Sequence, residues 1–162
     1  MLDTAATVDM LDTGAEDGMS GKYLTFRADD GIYGIEISYV TEIIEMQNIT
    51  PVPHTPDYIK GITNLRGTIA PIIDLRLRFG HTETEYTEHT CIIVLSMEEI
   101  SIGIIVDEVQ EVANIEPDSI QPPPKSTGRA AKNYFVKSIG TVDGQVKQLL
   151  DISKVFDVGE FE

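Results

Sequence analysis

The reactive side chains of this sequence are scattered rather than gathered. Asp12-Thr13-Gly14-Ala15 contains the active-site tripeptide of aspartic proteases. That chemistry needs two carboxylates sharing a proton in a buried site, and here one copy stands among flanks that are not buried strands. His54, His81 and His89 lie in proline-rich or polar surroundings, and none has a partner at the i, i+4 spacing that puts two imidazoles on one helix face, so no zinc or iron ligand set forms. Nucleophile elbows, P-loops and dinucleotide fingerprints do not occur, and Gly31-Ile32-Tyr33-Gly34 has the wrong spacing for the last. Asp74, Asp107 and Asp151 each follow an apolar strand end, where a cap or a turn accounts for them. What remains is one cation. Arg66 stands beside Gly67 between two apolar segments, with no acid following until Asp74. An arginine at the tip of a rigid hairpin presents a planar fork of donors outward. The pattern predicts no catalytic residue, no cofactor and no metal, and leaves an interaction module.

Composition narrows the partners. A chain of 162 residues fits one ordinary domain, or two small ones sharing a core. Its 12 Lys and Arg against 27 Asp and Glu give a net charge of −15, which argues against nucleic acid and against an anionic membrane surface as partners. The single cysteine, Cys91, lies in Thr90-Cys91-Ile92-Ile93-Val94-Leu95 and reads as an apolar strand residue in a protein of a reducing compartment. Apolar runs reach about five residues, far below the ~18 that span a bilayer. No basic-then-apolar signal opens the chain, so the expected location is cytoplasmic.

The elements that must hold Arg66 are short strands. Residues 1–21 carry five acids and no base, with Met1-Leu2-Asp3-Thr4-Ala5 nearly repeated at Met10-Leu11-Asp12-Thr13-Gly14, and are expected to be a disordered tail. Strands are expected at Tyr23–Arg27 and Ile32–Ile37 across Asp29-Asp30-Gly31, a Ser38-capped helical turn through Glu42, and strand again over Ile43–Ile49. A second helical turn is expected over Thr55–Lys60. Ile69 to Ile73 is apolar throughout and should lie in a core. An Asp74-capped turn closed by Gly80 follows, and His81 to His89 is a loop. Strands are then expected over Thr90–Ser96, Ile100–Val106 and Val109–Ile115, with an irregular connection over Pro117–Lys132. A hairpin across Asp143-Gly144 comes last. Pro71-Ile72-Ile73-Asp74-Leu75-Arg76-Leu77-Arg78-Phe79 and Gln148-Leu149-Leu150-Asp151-Ile152-Ser153-Lys154-Val155-Phe156 end alike, which points to two subdomains of like construction, roughly 22–80 and 90–156. Many short strands with Gly and Pro turns indicate an all-β fold.

Asn64-Leu65-Arg66-Gly67 followed by Pro71-Ile72-Ile73-Asp74-Leu75-Arg76 resembles the signature of CheW-type chemotaxis coupling proteins. Tyr33-Gly34-Ile35-Glu36-Ile37 with Val40-Thr41-Glu42-Ile43, and Gly103-Ile104-Ile105-Val106-Asp107, extend the match over Lys22 to Phe156. The resemblance implies a single CheW-like domain over 22–156 with a short tail at 157–162, folded as two packed five-stranded SH3-like barrels with a few short helices. It implies a non-catalytic adaptor that couples transmembrane chemoreceptors to the chemotaxis histidine kinase, recruited from the cytoplasm to membrane receptor arrays. Its partners would be the cytoplasmic tip of methyl-accepting receptors and the kinase's regulatory domain. The receptor groove would be lined by residues matching Val40, Glu42, Ile43, Arg66 and Cys91, with a valine more familiar at the last position; the kinase contacts fall on no assigned residue. The same fold also serves as the kinase's own regulatory domain and in receiver-fused coupling proteins, a reading disfavoured by a chain that starts with Met and closes soon after Phe156. Phe135-Val136-Lys137-Ser138 departs from the glycine often found near Ser138 in this family.

Overall fold

The computed structural model describes residues 21–82, 84–123 and 134–156; the acidic tail and most of the connection expected over Pro117–Lys132 fall outside them. The chain is built of short strands: β1 (Lys22–Ala28), β2 (Gly31–Glu36), β3 (Val40–Glu45), β4 (Ile59–Leu65), β5 (Thr68–Asp74), β6 (Cys91–Met97), β7 (Ile100–Val106), β8 (Glu108–Asn114), β9 (Ile120–Gln121), β10 (Val136–Val142) and β11 (Gln145–Leu150). Two short helices, α1 (Leu75–Arg78) and α2 (Ile152–Phe156), close β5 and β11. Both follow an aspartate: Asp74 accepts from the Arg76 and Leu77 amides, and Asp151 from the Ser153 amide, as helix N-caps do.

The strands form a six-stranded sheet, β8-β1-β2-β11-β10-β9, and a five-stranded sheet, β3-β6-β7-β5-β4. Period-two alternation gives each sheet two apolar faces. Leu24, Phe26, Ile35 and Leu150 of the first sheet meet Ile43, Ile73, Ile93, Leu95 and Ile104 of the second in one central core. On the faces turned away from it lie two smaller clusters, Tyr23, Ala113, Ile115 and Leu149 on the first sheet, and Ile72, Ile92, Val94 and Ile105 on the second.

Sequential halves are not the units of the sheets. The first sheet joins β1 and β2 to β8 through β11, while the second joins β3, β4 and β5 to β6 and β7. Each half therefore lends its leading hairpin to the sheet completed by the other, through the parallel pairs β2–β11 and β5–β7 and the antiparallel pairs β1–β8 and β3–β6. The split expected at 22–80 and 90–156 divides the sequence but not the sheets, because strand pairing between distant segments leaves no mark on local pattern.

The likeness of the two halves is nevertheless deep. Residues 69 apart occupy matching places from β1 into β3: Gly34 and Gly103, Val40 and Val109, Glu42 and Glu111. A Cβ on Gly34 would lie 2.8 Å from Leu149, and one on Gly103 2.7 Å from Ile72. Thr41 in β3 and Gln110 in β8 are both bulged out of register. Residues 77 apart match in the closing hairpins, where the Asp74 amide donates to Tyr58 O at 2.8 Å and the Asp151 amide to Phe135 O at 2.7 Å.

Two expected helical turns differ. A single 3-10 turn covers Ile37–Tyr39 with no side-chain cap, and Val40 already begins β3, because Val40 and Ile43 pair with Leu95 and Ile93 of the neighbouring β6 and face the core. Over Thr55–Lys60 the chain makes turns instead of a helix, and β4 starts at Ile59.

Candidate functional site

Arg66 and Gly67 are the two central residues of the β4–β5 hairpin. Their φ values of 55° and 89° are both positive, the primed turn whose twist matches that of its flanking strands. Gly67 meets this at no steric cost, whereas Arg66 is held there against its preference. The Asn64 side chain steadies the tip by accepting the Gly67 amide at 2.7 Å. The expected hairpin arginine is thus fixed by its turn, with its side chain 81% exposed.

Glu42 lies opposite Val94 in the β3–β6 ladder, on the face that carries Ile92, Val94 and Ile72. Its side chain is only 9% exposed, and its Oε1 takes an Arg66 Nη2 hydrogen at 2.9 Å. This pairing reports on the shape of the sheet. β3 and β4 are its two edges, separated by β6, β7 and β5. In a flat sheet they would stand about 19 Å apart, further than the two side chains reach. The sheet is curled until its edges approach, and Glu42–Arg66 spans the mouth between them. One carboxylate engages one nitrogen, so other guanidinium donors point to water.

The remaining expected site residues lie on the opposite face. Val40 and Cys91 are half-buried against the central core, and Ile43 is buried within it at 4% exposure. The bulge at Thr41 is the cause. Without it Val40 and Glu42, two apart, would share a face; the extra residue sends them to opposite sides. The structure brings Glu42 and Arg66 together and sets Val40, Ile43 and Cys91 behind them. Burial pushes the Cys91 thiol up to about 11, a nearby backbone hydrogen bond from Val109 opposing the shift and Glu108 adding to it.

Sequence reasoning missed Ile69. Ala70, Ile72 and Ile73 are fully buried as expected, but Ile69 is 59% exposed. β5 pairs with β7 only over Ile72 to Asp74, so the outer part of the hairpin projects beyond its neighbour. An unbroken apolar run carries no signal for where a neighbouring strand stops. Also unforeseen was a junction of charges at the other end of β5. Arg76 binds Asp29 at 3.3 Å and also Asp107; Asp107 accepts the Asp29 amide at 2.7 Å; His81 Nδ1 lies 2.9 Å from Asp29. It ties the β1–β2 turn of one sheet to α1 and the β7–β8 corner of the other. Among the described residues no group of three or more His, Cys, Asp or Glu side chains is placed to hold a metal.

The family model of the CheW-like domain matches residues 22–160. The chain belongs to the CheW-like family. A chemotaxis protein CheW of Klebsiella aerogenes is 37% identical over 155 residues, covering 96% of this chain and 91% of its own. One from Treponema pallidum is 32% identical over 151 residues, covering 86% and 84%. A crystal structure of the scaffolding protein TtCheW from Thermoanaerobacter tengcongensis superposes with a TM-score of 0.78 at 36% identity, covering 85% of this chain and 93% of that one. The CheW-like fold of two sheets is therefore shared.

Proposed function

We propose that this protein is a non-catalytic chemotaxis adaptor that couples the cytoplasmic tips of methyl-accepting receptors to the chemotaxis histidine kinase. The receptor docks at the Glu42–Arg66 mouth. The observation that carries the reading is a cation 81% exposed yet fixed by a carboxylate only 9% exposed. A free arginine loses rotamer freedom on binding; one already held by its turn and by Glu42 has little left to lose. Its open donors fit an acidic or carbonyl group, and the neighbouring Ile69, 59% exposed, offers apolar surface beside it. That combination suits a helical hairpin tip laying apolar side chains against the sheet while a polar group meets Arg66. Val40, Ile43 and Cys91 shape the strands from behind, on the face turned to the central core. The kinase's regulatory domain is the second partner. No helix among the described residues is long and apolar enough to cross a membrane, in keeping with recruitment from the cytoplasm to arrays that the receptors anchor.

The test is co-sedimentation with receptor-containing membranes. Arg66→Glu should weaken binding at least tenfold, the worth of a charge-assisted hydrogen bond of ~1.5–3 kcal/mol, while far-UV circular dichroism stays unchanged. Undiminished binding with the fold intact would overturn the assignment of Arg66. Reconstitution with receptor and kinase should then show receptor control of autophosphorylation only when the wild-type chain is present.

A further inference from the structure

The two halves of the chain provide the receptor mouth with a counterpart, on the other sheet and with its charge reversed. Residue 69 places after Glu42 is Glu111, and 77 places after Arg66, Gly67 and Ile69 are Asp143, Gly144 and Val146. The structural correspondence is close. Asp143 and Gly144 make the same two-residue turn, with φ of 50° and 78°. Val146 is 57% exposed against 59% for Ile69, and among the described residues the two are of the few large apolar side chains that stand open to water. Glu111 faces Thr25 in the β1–β8 ladder as Glu42 faces Val94. Its backbone is fixed by Thr25 Oγ1, which donates to Glu111 O at 2.8 Å and accepts the Glu111 amide at 3.3 Å. This sheet too is curled, since a Cβ on Gly140 of β10 would lie 3.1 Å from Ile115, just past β8.

The difference lies in compensation. Glu42 is buried because Arg66 neutralises it; Glu111, whose hairpin counterpart to Arg66 is Asp143, is exposed. Among the described residues neither Glu111 nor Asp143 has an ion-pair partner. This hairpin keeps its turn and its exposed apolar residue but carries an aspartate where the first carries Arg66; its own cation, Lys147, is buried and donates to Gln145 at 3.0 Å, so the exposed tip keeps the form of a docking surface and inverts the sign of what it accepts.

We propose that Glu111, Asp143 and Val146 form a second protein-docking surface, for a segment that presents a Lys or Arg beside an apolar side chain. The incoming cation lies between the two carboxylates and its apolar neighbour covers Val146. The inference uses the geometry of the first mouth and does not require a receptor to bind there. The same charge reversal keeps the partner of the Arg66 mouth from occupying this one, because a group that binds Arg66 is repelled by Asp143.

The experiment is a backbone amide NMR titration of the full chain with two synthetic hexapeptides, one alternating Lys and Leu, the other Glu and Leu. With the first, the largest shift changes should fall at Glu111, at Asp143–Val146 and their strand neighbours; the second should leave these amides unmoved. Asp143→Asn and Val146→Ser should each weaken the Lys-Leu peptide about three- to tenfold, whereas Asp57→Asn, an exposed acid elsewhere, should not. Arg66→Gln should leave the shift changes at Glu111 and Asp143–Val146 unchanged, which separates failure here from failure of the receptor reading. Shifts spread evenly over the acidic surface, or undiminished affinity in Val146→Ser, would overturn the proposal. So would concentration-dependent self-association abolished by Asp143→Asn, which would assign the surface to a second copy of this chain.

Discussion

Gly61 offers a sharp test of how the Glu42–Arg66 mouth is held. It lies in β4 with φ of 146°, next to the register break at Lys60. A Cβ there would stand 2.1 Å from Thr50 O and 2.6 Å from Thr50 C. Thr50 is not incidental: its amide donates to Ile62 O and its carbonyl accepts the Ile62 amide, both at 2.9 Å. These two bonds cover the outer edge of β4, the strand that leads into the Arg66 turn. Gly61→Ala must drive Thr50 away by about an ångström and so break both. At ~1 kcal/mol per hydrogen bond, plus ~1–2 kcal/mol for an L side chain in an unfavourable backbone conformation, the loss is about 3–4 kcal/mol. Gly67→Ala is the control. Its φ is also positive, but nothing lies within 4 Å of its new Cβ, so only the strain of ~1 kcal/mol applies. In a chain of this size ~1 kcal/mol moves Tm by about 2–4 °C. Thermal unfolding should therefore place Gly61→Ala about 6–16 °C below wild type and Gly67→Ala only about 2–4 °C below. Equal shifts for the two variants would refute the argument that backbone collision, rather than φ, makes this position glycine.

Two further outcomes follow from buried groups. Arg78 lies with its guanidinium carbon 4.3 Å from the Tyr58 ring and 5.0 Å from the Phe135 ring, and its Nη2 donates to Lys154 O at 3.1 Å; Arg78→Met should cost about 2–3 kcal/mol in urea unfolding, and a loss below ~1 kcal/mol would show that the aromatic contacts contribute nothing. Cys91, with its thiol raised to about 11, should react with a disulfide reagent at pH 8 about a hundredfold more slowly in the folded chain than in the urea-unfolded one, because the thiolate is correspondingly scarcer. The sign of its linkage follows. The unfolded chain releases this proton first, so the stability it contributes is complete below the ordinary thiol range and is lost as pH rises toward about 11.

What could be read in the sequence was whatever is decided locally. Asp74 capping α1 and Asp143-Gly144 turning β10 into β11 each depend on a few adjacent residues, and both stand as read. The likeness of the two chain ends was visible for the same reason. Which strands pair was not, since β5 with β7 and β2 with β11 are joined across long intervals. The site divides along the same line. Arg66 was singled out by its own turn, but its meeting with Glu42 depends on the curl of a sheet whose edge strands never share a hydrogen bond. A single bulged residue, Thr41, decided which neighbours of Glu42 face the mouth, and no pattern of side-chain types announces a bulge. The reversed counterpart at Glu111 and Asp143 became visible only once both halves could be laid over one another.

The exchange of hairpins between the halves also determines how this protein comes apart. Neither half holds a complete sheet, so neither has a hydrophobic core to retain once the other leaves. Its decisive ladders, β1–β8, β2–β11, β3–β6 and β5–β7, join segments distant in sequence, which favours slow, concerted folding over assembly lobe by lobe. A nick in the connection between α1 and β6 would sever the polypeptide and leave two interlocked pieces. The Glu42–Arg66 mouth and its counterpart at Glu111 and Asp143 consequently share one melting transition: in a chain built this way neither is lost to local unfolding while the other stays folded.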